Sequence, residues 1–148
     1  METFRVVPIT AGTAEALRAK GGPVYVADES PGYPCRQCLQ DADIGEELIL
    51  VSHDPFTQDS PYRSASPIFL HLSTCEVDAS ICGLPAQLTS RQLSVRAFDT
   101  DEMMIDAAVI NGIELHDTLD RFFADAETDR IHIHNATRGC WAAIAERL

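Results

Sequence analysis

Leu93-Ser94-Val95-Arg96-Ala97-Phe98 alternates without a break between apolar and polar or mixed positions. Successive side chains of an extended chain project to opposite faces. Leu93, Val95 and Ala97 therefore share one face, and Ser94, Arg96 and Phe98 share the other. The pattern predicts a β-strand with one face on a core.

Downstream, Met104 to Ile110 reads as a second strand, with Asn111-Gly112 as the turn after it. Glu114 to Ala124 places Leu115, Leu119, Phe122 and Phe123 at helical spacing, a face suited to docking on a sheet. Arg130-Ile131-His132-Ile133-His134 predicts another strand, and Cys140 to Arg147 a closing helix. Upstream, Pro67 to Leu72, Glu46 to Ser52, Val24 to Ala27 and Phe4 to Ile9 are strand candidates. Thr13 to Lys20 is rich in helix formers, with Thr13 as its cap and Gly21-Gly22-Pro23 as its stop. Two irregular stretches, His53 to Ser66 and Ser73 to Pro85, interrupt the series. Many strands and about three scattered helices predict an α+β fold with a largely antiparallel sheet, with residues 1–148 as a single domain.

Composition narrows the function classes. Hydrophobic residues make up 45% of the 148, too many for a disordered chain. Uninterrupted apolar runs such as Leu48 to Val51 are far short of a membrane span, and no basic start followed by a long apolar stretch marks a signal peptide. A net charge of −12 repels phosphate backbones and anionic lipid, so neither nucleic acid nor a membrane is the expected partner. Five cysteines, an odd number, argue for free thiols and a cytoplasmic setting. Of the eleven basic residues only Lys20 is a lysine. Arginine grips carboxylates and phosphates in a planar, two-pronged way, so an anion pocket can survive in an acidic protein.

Four constellations carry chemistry. Cys35-Arg36-Gln37-Cys38 is a Cys-x-x-Cys turn, which binds a metal with two further ligands or closes a reversible disulfide. His71 and Cys75 complete a Cys₃His set for zinc, with Cys82 or Cys140 as substitutes; plain packing of the thiols is the competing account. Cys140, in the first turn of the predicted closing helix, has the placement of a thiolate nucleophile, with His132 as its base. His132 and His134, on the strand face opposite Ile131 and Ile133, make a facial metal site if His71 joins them. Arg36, Arg63, Arg96 and Arg138 each neighbour one of these segments, and their convergence would hold a small anionic ligand.

Taken in order, a longer series emerges. It runs Tyr33-Pro34-Cys35-Arg36-x-Cys38-Leu39, Gly45-Glu46, Asp54-Pro55-Phe56, Ser60-Pro61-Tyr62-Arg63, Pro67-Ile68-Phe69-x-His71 and Cys75. Arg96-Ala97-Phe98-Asp99, Asn135-Ala136 and Gly139-Cys140 continue it. The series resembles an uncharacterised bacterial family, domain of unknown function 1203. The resemblance implies a bacterial protein made of this domain alone and supplies no activity. In the family pattern histidine is more frequent than Gln37 and arginine more frequent than His134, which weakens the His-x-His reading. Cys35, Cys38, His71, Cys75 and Cys140 all match.

Two functions follow from different classes. The first is a non-catalytic binding or structural domain whose Cys/His-rich region holds a metal. The second is a small thiol-dependent enzyme. It would use Cys140 or Cys35 with His71 or His132, and Arg36, Arg63 or Arg96 would hold an anionic substrate.

Overall fold

A computed structural model describes residues 2–77 and 83–148. In chain order the elements are β1 (Phe4–Val7), α1 (Ala11–Lys20), β2 (Val24–Val26), β3 (Glu47–His53), β4 (Ser66–His71) and α2 (Ala86–Thr89). There follow β5 (Gln92–Phe98), β6 (Met104–Asn111), a 3₁₀ turn (Gly112–Glu114), α3 (Leu115–Phe123), β7 (Arg130–Asn135) and β8 (Trp141–Arg147). The fold is α+β and mostly sheet. Five strands pair in the order β1-β8-β7-β5-β6 and three in the order β2-β3-β4, every neighbour antiparallel. No helix among the described residues is long and apolar enough to cross a membrane.

The alternating stretch behaves as its pattern requires. Leu93, Val95 and Ala97 are fully buried, facing a cluster that includes Leu88 of α2 and Leu115, Leu119, Phe122 and Phe123 of α3. Register extends that face across β7 and β8, because Ala97 opposes Ile131, Val95 opposes Ile133, and Ile133 opposes Ala143. Phe98, on the other face, is buried too, with its ring 5.4 Å from that of Phe56. This second face receives the smaller sheet, where Trp141 and Ile144 of β8 join Ile49, Val51, Ile68 and Leu70 of β3 and β4.

Three local expectations change. Cys140 to Arg147 is not a helix: its alanines lie on strand β8, between β1 and β7. Alanine favours a helix in isolation, but Ala143 and Ala145 sit where the sheet meets α3, and small side chains there let the layers close. Thr10, rather than Thr13, caps α1, its hydroxyl accepting the Thr13 N–H at 3.2 Å. Asn111-Gly112 opens the 3₁₀ turn through a capping box with Glu114. A side chain at Gly112 would strike the Leu88 and Arg91 carbonyls.

Candidate metal centre

The Cys-x-x-Cys segment forms a tight knuckle. Cys35 N–H donates to the Gln40 carbonyl at 3.0 Å and Leu39 N–H to the Cys35 carbonyl at 3.1 Å. Leu39 has a φ of 59°, in the left-handed region that costs an ordinary residue of order 1 kcal/mol or more. Its buried side chain, anchored in the helix-backed core, holds that conformation. The knuckle docks on the smaller sheet through a parallel bridge between Cys35 and Phe69 and a bond from Arg36 N–H to the Phe69 carbonyl at 3.1 Å.

That docking brings four ligand groups together. Cys35, Cys38 and Cys75 Sγ and a ring nitrogen of His71 all lie within 4.8 Å of one another. Cys35 and Cys75 sulfurs are 3.6 Å apart, and Cys38 Sγ is 3.5 Å from His71 Nδ1. A tetrahedral zinc about 2.3 Å from sulfur and about 2.0 Å from nitrogen sets edges of roughly 3.8 Å and 3.5 Å. The spacing fits one ion. The cysteines are free thiols.

Support around the ligands is as specific. His71 Nε2 lies 3.3 Å from Glu46 Oε1, so Nδ1 faces the sulfurs while the far nitrogen meets a carboxylate. This is the arrangement in which a metal-bound imidazole is oriented by an outer acid. The Asp43 N–H, first, and then His71 hold the Glu46 carboxyl below its usual range. His71 N–H donates to Cys35 Sγ at 3.3 Å. Arg18 braces the group from α1, donating to the His71 carbonyl at 2.8 Å and to Gln37 Oε1 at 2.6 Å. Hydrogen bonds from the Cys38 and Cys75 thiols favour the thiolate of Cys35, and the same bonds push Cys38 and Cys75 up.

Residues 32–147 match the family model described as protein of unknown function, DUF1203. The chain belongs to this family. No curated protein and no solved structure matches it.

The remaining candidate residues of this DUF1203 protein are dispersed. Cys140 is half-buried at the start of β8, after Gly139, whose φ of 79° makes the β7–β8 connection. It has no helix N-terminus, so the thiol lacks the dipole that the sequence reading supplied. Its one hydrogen bond, at 4.0 Å, is to the Arg138 carbonyl, and no histidine lies within bonding distance of it among the described residues. His132 is fully buried between Phe56 and Phe98, at 4.8 Å and 4.7 Å between ring centroids, and neither ring nitrogen has a partner. Desolvation, chiefly, pushes it down to about 3, and His134 down to about 4. The three histidines do not gather: His71 stands in the smaller sheet, while His134 Nδ1 meets the Gly139 carbonyl at 2.9 Å.

The arginines also part company. Arg63 closes the His53–Ser66 loop through Asp54 at 2.7 Å and Asp59 at 2.9 Å. Arg96 donates to Ser94 Oγ at 3.1 Å and lies 3.5 Å from His134 Nε2. Of the four arginines, Arg36 and Arg138 line the large cleft between the sheets, and Arg63 and Arg96 do not. Burial pulls Arg36 down to about 10, which leaves it charged at neutral pH. Cys82 lies outside the described residues. Sequence reasoning missed Glu46 and Arg18 as partners of the site. Glu46 stood in the Gly45-Glu46 element, but its approach to His71 crosses a strand pairing that no local pattern records.

Proposed function

We propose that this protein is a zinc-stabilised, non-catalytic binding domain in which Cys35, Cys38, His71 and Cys75 hold one ion. The carrying observation is the packing of four ligand atoms within 4.8 Å of one another, with the Cys35–Cys75 pair at 3.6 Å and the Cys38–His71 pair at 3.5 Å, close to the edges a tetrahedral zinc sets. Four protein ligands leave no coordination position for water or substrate, which marks a structural rather than a catalytic zinc. The ion would fasten the knuckle and the end of β4 to the segment after it, so residues 1–148 act as one domain. Thiolate ligands require reducing surroundings, in keeping with a cytoplasmic home. The net charge of −12 speaks against a nucleic-acid partner.

Elemental analysis of the purified chain tests this directly. About one zinc per chain is expected, falling to near zero in Cys38→Ser and Cys75→Ser. Glu46→Gln should keep the ligands but weaken zinc affinity about 10–100-fold, measured by competition with a chromophoric chelator. A metal-free protein whose Cys35, Cys38 and Cys75 thiols alkylate freely would overturn the reading.

A further inference from the structure

Arg36 sits between the two cysteines of the knuckle, yet its guanidinium serves the opposite side. Nε donates to the Trp141 carbonyl at 2.9 Å and Nη1 to the Pro34 carbonyl at 2.6 Å. Among the described residues Nη2 has no hydrogen-bond partner, and no carboxylate pairs with this side chain. Arg36 is only 2% exposed. Neighbouring arginines are treated differently: Arg91 is clasped by both oxygens of Asp41, at 2.6 Å and 3.1 Å. A buried cation satisfied by neutral carbonyls alone keeps its full charge in a poorly solvating place, a costly arrangement unless an anion arrives. Among the described residues, the acid whose charge Arg36 feels, Asp41, is itself engaged by Arg91.

The space beside Arg36 is built to receive one. A cleft of about 720 Å³ opens between the two sheets, within the range of small-molecule sites. Among the described residues, Arg36, Arg91 and Arg138 line it with one acid, Glu29. Tyr25, Phe69 and Tyr33 form a connected aromatic wall, with Phe69 5.8 Å from Tyr25 and 5.4 Å from Tyr33 between ring centroids. The wall begins where Arg36 is pinned, since its backbone N–H donates to the Phe69 carbonyl. Across the cleft, the Asn135 amide oxygen is buried without a partner. Cys140 lines the same space, one residue from the carbonyl that holds Arg36.

We infer that this cleft binds a small organic anion. Its carboxylate or phosphate engages Arg36, with Arg138 at the rim, and its flat apolar body lies against Tyr25, Tyr33 and Phe69. The inference rests on the cleft and its arginine, not on the zinc, and stands whether or not a metal is found.

Two measurements decide it. In the first, isotope-labelled protein is titrated with phenyl phosphate, benzoate, inorganic phosphate and benzyl alcohol while backbone amide shifts are followed. Saturable shifts around residues 33–36, 69 and 135–140 are expected with phenyl phosphate or benzoate, and the stronger of the two identifies the oxyanion. Benzyl alcohol, and either anion with Arg36→Gln, should bind at least tenfold more weakly. Inorganic phosphate binding as tightly as phenyl phosphate would remove the aromatic wall from the site, and no saturable shift with either aromatic anion would overturn the proposal. The second uses the unaltered chain, in case Arg36→Gln does not fold. Cys140 is alkylated with iodoacetate and with iodoacetamide, and the rates are read by peptide mass spectrometry. A chain of net charge −12 repels iodoacetate, so a rate ratio above that of N-acetylcysteine amide reports the arginines of the cleft. Phenyl phosphate or benzoate should slow the reaction. A ratio at or below the reference, with no protection, sinks the idea.

Discussion

The two sheets share antiparallel pairing but are held together by different means. The five-stranded sheet has α2 and α3 across one face, and its buried residues there are leucines, isoleucines, phenylalanines, alanines and Val95. The three-stranded sheet has exposed Val24, Tyr25 and Val26 at its edge, and the apolar cluster on its inner side includes Cys35 and Cys38, with Cys75 packed against it. Its other cluster is small, with Ala27, Ala42 and Leu48 at its centre. Hydrophobic burial suffices where helices cover a sheet. On the smaller sheet, where α1 contributes Ala14 and Leu17 to the inner cluster, the proposed metal would add a cross-link between the knuckle and β4.

Metal removal should break the comparison most sharply. Chelation is expected to lower stability by about 4 kcal/mol when free zinc had stood a thousandfold above its dissociation constant. Hydrogen exchange should rise first in β2, β3, β4 and the knuckle, while β5, β7 and β8 keep their protection. Equal loss of protection across both sheets would show that the halves do not differ as described.

Leu119→Ala sharpens the other side. It cuts a fully buried side chain from the helix-backed core and should cost about 2–5 kcal/mol in denaturant unfolding. Zinc content should stay unchanged, since the ligands lie in the other half.

The smallest effect concerns His132, between the halves. Its pKa is about 3 when folded against an ordinary 6.5, so the unfolded chain takes up the proton first as pH falls. The neutral histidine's contribution is therefore fully present above about pH 6.5 and is lost progressively down to about pH 3, at up to ~1.4 kcal/mol per pH unit. His132→Leu removes two unpartnered ring nitrogens from the interior. Urea unfolding should show stability raised by about 1–3 kcal/mol at pH 7 and a shallower loss between pH 6 and pH 4. Unchanged pH dependence would mean that His132 is not the group that titrates.

Much of this was legible in the chain, for physical reasons specific to each segment. Period-two alternation in Leu93–Phe98 and helical spacing in Leu115–Phe123 are local, and burial of one face enforces them. The Cys-x-x-Cys turn is equally local, and His71 and Cys75 were legible as a second pair four residues apart. Cys140–Arg147 misled because its alanines favour a helix, whereas pairing with β1 and β7 decided the outcome. Cys140 with His132, and Arg63 and Arg96 with Arg36, were neighbours only by proximity to motifs. Sheet register separated them.

The sequence by itself determined the strand-rich α+β character, the acidic balance and the identity of four Cys/His residues that could hold a metal, because each depends on composition or short spacing. Tertiary structure alone decided that those four side chains converge, that Glu46 meets His71, and that Arg36 turns from the sulfurs toward a cleft, paired with no carboxylate among the described residues. Those contacts join segments tens of residues apart. They exist only once β3 has paired with β4 and the smaller sheet has closed on β8.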